Sequence, residues 1–443
     1  MLMQSLISRP SGPLAGILTP PGDKSISHRA IMLGGIAEGE TTVQGLLEGE
    51  DVLRTVAALR ALGATIRQAG AGEWHIHGAG LAGLRASAET LDMGNSGTAA
   101  RLLIGLLSGR PFTSRFSGDA SLGKRPMERI ITPLTQMGAR FESTHGRLPL
   151  TVTGAARPVP ITYPLPVASA QVKSAILLAG LSADGVTTVI EATPTRDHSE
   201  NMLRHFGARV DVVRTQDGEA ISLTGLPRLK GRALTVPADP SSAAFPLVAA
   251  LLHPGSRVTL KNVGLNPRRA GLIDTLVEMG AKITLMNRRD ESGEPVADLV
   301  VESGPLRGIT VPAARAASMI DEYPVLSVAA ACAAGTTKML GLAELRVKES
   351  DRLALMADGL KRCGVKVEID GDDLIVHGDG VPPQGGAMIE TAMDHRIAMS
   401  FLILGSAAKD AVRIDDGSFI ATSFPKFIET MNGLGLKIAP ENA

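Results

Sequence analysis

Two kinds of hydrophobic segment alternate along the chain. The first is apolar nearly all round and recurs six times, at 25–39, 95–109, 169–185, 241–255, 321–335 and 394–410. Five of these runs end at a glycine, and the sixth has Lys409-Asp410 in its place. A helix without a polar face belongs in a core, so each run reads as a buried helix leading through a turn into a strand. The second kind is amphipathic and closes on a short phrase: Leu59-Arg-Ala-Leu-Gly63, Leu134-Thr-Gln-Met-Gly138, Leu203-Arg-His-Phe-Gly207, Leu276-Val-Glu-Met-Gly280, Leu360-Lys-Arg-Cys-Gly364 and Met431-Asn-Gly-Leu-Gly435. Each predicts a surface helix stopped by a glycine just past its end, then an alternating strand such as Thr65-Ile66-Arg67 or Arg209-Val210-Asp211-Val212.

The closing glycines lie 69–84 residues apart. That period is too long for a solenoid unit and suits a small αβ subdomain, so the chain reads as six such units. Thr19-Pro-Pro-Gly-Asp-Lys-Ser25 and Val236-Pro-Ala-Asp-Pro-Ser-Ser242 are similar proline-rich phrases, each entering a buried helix. They predict chain crossings near 20–22 and 237–240 between two domains of three repeats each, 22–238 and 1–21 plus 239–443. The N-terminal strand then joins the later half. At 443 residues the chain is long for one core, which fits two.

Composition narrows the partners. Lys plus Arg and Asp plus Glu balance at 45 each, so no global field recruits nucleic acid or an anionic membrane, and any anion site must be local. Aromatic residues at 3% leave little for base stacking. The two cysteines, Cys332 and Cys363, have no metal-ligand spacing, which suits a reduced cytoplasm and excludes a cysteine-based zinc site. No secretory signal or membrane span is expected. Gly78-Ala-Gly80-Leu-Ala-Gly83 imitates a dinucleotide loop, but no convincing helix follows it.

Polar residues collect where the apolar helices begin. The phrase Pro21-Gly-Asp-Lys24-Ser25-Ile-Ser-His-Arg29 sets two cations and two hydroxyls on a turn that Asp23 or Ser25 can cap. A helix start carries unpaired N–H groups and about half a positive charge, so Lys24 and Arg29 there suit a phosphate or carboxylate, unless the turn is simply solvated. Asn95-Ser96-Gly97-Thr98, Lys124-Arg125-Pro126, Ser169-Ala170-Gln171, Thr195-Arg196-Asp197-His198, Asp321-Glu322, Lys348-Glu349-Ser350-Asp351-Arg352 and Asp394-His395-Arg396 occupy comparable places. Packed around one cleft, so many cations require an anionic ligand. Asp321 and Glu349 among them are candidates for proton transfer, or they neutralise neighbouring Lys and Arg.

These phrases, with Ala168-Ser-Ala-Gln-Val-Lys173, Leu345-Arg-Val-Lys-Glu-Ser-Asp-Arg352, Asp394-His-Arg-Ile-Ala-Met399 and Thr422-Ser-Phe-Pro425, occur in order from about Gly12 to Gly435. Together they resemble the 5-enolpyruvylshikimate-3-phosphate synthases, most strongly the class II branch. The resemblance implies an α/β enolpyruvyl transferase fold, an inside-out α/β barrel of two domains, each with three βαβαββ-type repeats around buried parallel helices, closing like a clamp. It implies a cytoplasmic, monomeric enzyme of aromatic amino-acid biosynthesis that needs no cofactor or metal and is inhibited by glyphosate. The implied reaction moves the enolpyruvyl group of phosphoenolpyruvate to the 5-hydroxyl of shikimate 3-phosphate.

By motif, shikimate 3-phosphate would be held by Lys24, Ser25, Arg29, Ser169, Ala170, Gln171, Arg196, Asp321 and Lys348. Phosphoenolpyruvate would be held by Lys24, Asn95, Gly97, Arg125, Gln171, Arg352 and Arg396. Asp321, Glu349 and Lys24 would move protons. Two positions depart from the family: glyphosate-tolerant class II members have Ala where this chain has Gly97, and class I members have Lys where Thr422 stands. Two other readings compete. One is the sister enzyme acting on UDP-N-acetylglucosamine, which uses a reactive Cys on a mobile loop. The other is a binding protein that keeps the fold without the chemistry, against which the retained acids and cations argue.

Overall fold

The computed structural model describes residues 4–441. The apolar runs are helices buried along almost their whole length: Lys24–Ile36, Gly97–Ser108, Ala170–Gly180, Pro240–Leu252, Tyr323–Cys332 and His395–Ala407. In the first, every residue from Ile26 to Ile36 is buried. The amphipathic phrases are the helices Glu50–Ala61, Glu128–Gln136, His198–His205, Gly271–Glu278, Arg352–Arg362 and Phe427–Gly433. Each is followed by its glycine with φ between +84° and +119°, a left-handed turn that side chains with a Cβ resist.

Among the described residues the strands form six four-stranded sheets built on one plan. In the plainest copy, Leu91–Asp92 runs parallel to Thr113–Ser117 with the buried helix Gly97–Ser108 as the crossover. Arg147–Thr153 then pairs antiparallel with Thr113–Ser117, and Arg140–Thr144 lies at the far edge. Arg147–Thr153 alternates strictly, Leu148, Leu150 and Val152 turning inward, as expected of a sheet with one face on the core. The anticipated alternation after Gly207 is weaker. Val210–Thr215 is an edge strand with only Val210 buried, because the inner strand Gly218–Thr224 covers the helix instead.

The chain divides into two compact units, one of Lys24–Val236 with Glu291–Glu294, the other of Met1–Asp23, Pro237–Asp290 and Pro295–Ala443. Within the first, the edge strand of the opening sheet comes from the far end of the unit: Ala233–Thr235 pairs parallel with Glu40–Gln44. Within the second, Ala15–Leu18 plays that part beside Arg257–Gly264, and Leu6–Arg9 is inserted between Val412–Ile414 and Lys437–Pro440. The tip Glu291–Glu294 belongs by its packing to the first unit although it hangs from a hairpin of the second, an excursion the sequence did not announce. Among the described residues no helix is long and apolar enough to cross a membrane.

Each unit has one continuous core of buried helices and inner sheet faces. In the first unit Gly97–Ser108 crosses Ala170–Gly180 closely: a Cβ on Gly105 would stand 2.5 Å from the Ala175 carbonyl oxygen. Gly105→Ala therefore forces two buried backbones apart. We expect it to destabilise the protein by about 1–3 kcal/mol, read from the urea midpoint.

Candidate active site

In the unit of Lys24–Val236 the site residues sit at three helix starts and the loops beside them. Lys24 opens its helix and donates to Asp51 Oδ2 at 3.0 Å, with Ser25 next to it in the first turn. Arg29 is buried one turn further in, donating to Ser25 O at 2.9 Å, Ser174 Oγ at 2.8 Å and Ser199 Oγ at 2.7 Å. Between them His28 is fully buried, its Nδ1 2.8 Å from Thr55 Oγ1. Burial first, and then the charges of Lys24 and Arg29, hold this imidazole well below the usual histidine pKa.

The second helix start is capped by Ser96, whose Oγ accepts from Ala99 N at 3.1 Å. Asn95 just before it is gripped by Arg125, which donates to Asn95 Oδ1 at 2.6 Å and to its backbone oxygen at 3.2 Å. Gly97 faces two guanidiniums: a Cβ there would lie 3.2 Å from an Nη of Arg101 and 3.2 Å from one of Arg125. The third start is capped by Ser169, Oγ accepting from Val172 N at 3.4 Å, with Ala170 following as the first helical residue. Gln171 is held from both ends, accepting from Arg101 at 2.6 Å and donating to Thr98 Oγ1 at 2.9 Å. Arg101, a residue the sequence reading passed over, holds Gln171 and also donates to the Pro126 carbonyl oxygen at 3.2 Å, next to Arg125 in the chain. Arg196 is half-buried on the loop between Val186–Glu191 and His198–His205.

In the other unit one side chain gathers the rest. Arg352, almost wholly buried, donates from Nε to Asp394 Oδ2 at 2.8 Å, and from its two Nη atoms to Asp321 Oδ1 at 3.1 Å and Glu349 Oε2 at 2.5 Å. Lys348 Nζ lies 3.5 Å from Asp321 Oδ1, and Arg396 donates to the Asp321 backbone oxygen at 3.1 Å. Burial alone would lower the pKa of Arg352, but Asp394, Glu349 and Asp321 outweigh it and raise the value. Asp394 also caps His395–Ala407 through Oδ1, so one carboxylate orients both a helix start and a guanidinium. A parallel knot surrounds buried Arg269, which reaches Asp239 Oδ1 at 3.0 Å, Ser241 Oγ at 2.7 Å and Glu322 Oε1 at 3.3 Å. Glu322 in turn lies 3.6 Å from Arg396.

Thr422 Oγ1 donates to the Phe419 carbonyl at 2.7 Å, so this hydroxyl serves its own turn, and Lys426 is exposed at the start of the last helix. Asp197, His198 and Glu294 bring ligand-type atoms within 4.8 Å of one another, but His198 Nδ1 pairs with Glu294 Oε1 at 2.8 Å, which ties the tip Glu291–Glu294 to its unit.

Helix starts lined with cations in one unit and carboxylates locked to arginines in the other, on six sheet-and-helix repeats, fit an α/β group-transfer enzyme of the enolpyruvyl transferase type. Residues 8–431 match the family model described as EPSP synthase (3-phosphoshikimate 1-carboxyvinyltransferase). A protein named 3-phosphoshikimate 1-carboxyvinyltransferase from Paramagnetospirillum magneticum is 61% identical over 444 residues, covering 100% of both chains. One of the same name from Rhodospirillum rubrum is 59% identical over 435 residues, covering 97% of this chain and 96% of that one. A solved structure of EPSP synthase from Acinetobacter baumannii superposes with a TM-score of 0.88 at 48% identity, covering 98% of this chain and 100% of that one. The chain belongs to the EPSP synthase family.

His28 gives the helix start a pH signature. Its folded-state pKa lies below the ordinary 6.5, so the unfolded chain takes up a proton that the fold refuses. Stability should fall as pH drops below about 6.5, by up to about 1.4 kcal/mol per pH unit. The difference in urea-unfolding free energy between wild type and His28→Gln, followed from pH 8 to pH 5, should carry this slope.

Proposed function

We propose that the chain transfers the enolpyruvyl group of phosphoenolpyruvate to the 5-hydroxyl of shikimate 3-phosphate and releases phosphate, by addition and then elimination, as a step of aromatic amino-acid biosynthesis. The observation that carries this reading is the similarity spanning the whole chain, 61% identity to a 3-phosphoshikimate 1-carboxyvinyltransferase.

The roles follow the motifs. Lys24, Ser25, Arg29, Ser169, Ala170, Gln171 and Arg196, with Lys348 and Asp321, hold the phosphate and hydroxyls of shikimate 3-phosphate. Lys24, Asn95, Gly97, Arg125, Gln171, Arg352 and Arg396 hold phosphoenolpyruvate, where glyphosate competes. Two multiply charged substrates need this many donors, and prepositioned guanidiniums pay no reorganisation when charge develops on the reacting group. Asp321 takes the proton of the 5-hydroxyl as its oxygen attacks. Glu349 and Lys24 deliver a proton to the methylene carbon in the addition and remove one in the elimination. Fastening both acids to Arg352 supports this, because the guanidinium fixes where each carboxyl group is aimed. The enzyme works as a cytoplasmic monomer.

The sister reaction on UDP-N-acetylglucosamine is less well supported. Burial pushes both the Cys332 and Cys363 thiols up to about 12, away from the thiolate a reactive cysteine needs.

Mixing the protein with both substrates should release inorganic phosphate, and omitting either should abolish it. Asp321→Asn should bind shikimate 3-phosphate yet turn over about 10²–10⁴-fold more slowly; undiminished turnover would remove Asp321 from the mechanism. Because a methyl on Gly97 would press on Arg101 and Arg125, Gly97→Ala should weaken glyphosate inhibition about tenfold or more, while raising the KM for phosphoenolpyruvate less.

A further inference from the structure

Lys173 is a charged residue in the body of an apolar helix, and its side chain is wholly buried. Its Nζ lies 2.9 Å from Glu191 Oε1 and 2.7 Å from Glu200 Oε1, two carboxylates that are buried as completely. The same ammonium reaches the Thr195 carbonyl oxygen at 3.4 Å. Glu191, at the end of Val186–Glu191, then closes the other side of Thr195: Oε1 accepts from its backbone N–H at 3.0 Å and Oε2 from its hydroxyl at 2.7 Å. Thr195 is therefore held at its N–H, its carbonyl and its side chain, and the next residue is Arg196.

Such a knot is an expensive way to stabilise a core, since well-packed apolar residues serve at least as well. What it supplies is fixed geometry. It couples the helix that presents Ser169, Ala170 and Gln171 to the loop that presents Arg196, so residues from two elements keep one relative placement. We propose that Lys173, with Glu191 and Glu200, is a positioning device for Arg196, setting where that guanidinium meets the anionic group of the substrate. The inference rests on the reading that Arg196 binds shikimate 3-phosphate. Lys173 touches no substrate and acts through the loop.

The test is a double-mutant cycle on the KM for shikimate 3-phosphate, with kcat, the KM for phosphoenolpyruvate and the melting temperature measured alongside. Lys173→Met should raise the KM for shikimate 3-phosphate about tenfold or more and leave that for phosphoenolpyruvate within about twofold. In an Arg196→Ala background the same change should add little, because the group it positions is gone. Should Lys173→Met fail to fold, Thr195→Val keeps the ion cluster and removes only the hydroxyl bond to Glu191. It is expected to raise the same KM about threefold to tenfold, again only when Arg196 is present. Equal factors with and without Arg196, or a fall in melting temperature with both KM values unchanged, would overturn the positioning role and leave a purely structural cluster. Wild-type protein that neither binds nor turns over shikimate 3-phosphate would instead overturn the reading on which the inference rests.

Discussion

A helix that is apolar on every side can exist only where other elements cover every side, and six such helices set the terms for this chain. Among the described residues four of them connect the parallel strand pair they cover, and in five of the six sheets an antiparallel hairpin completes the sheet. The flanks being closed, only the ends are available for polar chemistry. At the N-terminal ends the backbone leaves N–H groups that must find partners. Ser96, Ser169, Asp239 and Asp394 meet that demand with side-chain caps, and the residues beside them carry the charge. Packing of the cores thus decides where an anion can be received.

Charge in these places is bound to further charge. Arg352 would be costly where it lies without Asp394, Asp321 and Glu349, and the three acids would repel one another without Arg352. Each acid is fixed by the cation it neutralises, an arrangement compatible with the proton-transfer reading of Asp321 and Glu349. Arg269 repeats the device at Pro240–Leu252, where burial and the neighbouring Asp23 push Asp239 above its ordinary pKa despite the arginine.

Much of this was legible because the two dominant signals are local. An apolar run with no polar face and a glycine past a helix end are each read within about fifteen residues, and all six glycines do adopt the left-handed turn. The cations that work through other side chains were not legible. Lys173 stands in an apolar helix, Arg269 in a loop beside Arg268, and Arg101 on a helix whose partner Gln171 is distant in sequence. Only tertiary structure reveals what answers them. The motif containing Lys173 was visible, and a charge amid residues that are otherwise buried was the available clue. The tip Glu291–Glu294 was hidden for another reason: its attachment depends on His198 meeting Glu294 across almost a hundred positions.

The strand Leu6–Arg9 lies between Val412–Ile414 and Lys437–Pro440, so the last sheet cannot be assembled until nearly the whole chain has left the ribosome. Residues 24–236 meet no such delay: their edge strand Ala233–Thr235 is the last part of their own segment to emerge. During synthesis this unit can consolidate while the first strand waits, unpaired, for partners made some four hundred residues later. A short, exposed edge is prone to wrong pairing in that interval, and Leu6–Arg9, at four residues with Pro10 directly after it, offers a stray strand little to hold. The arrangement that joins the chain's two ends therefore also sets the order in which its halves can form.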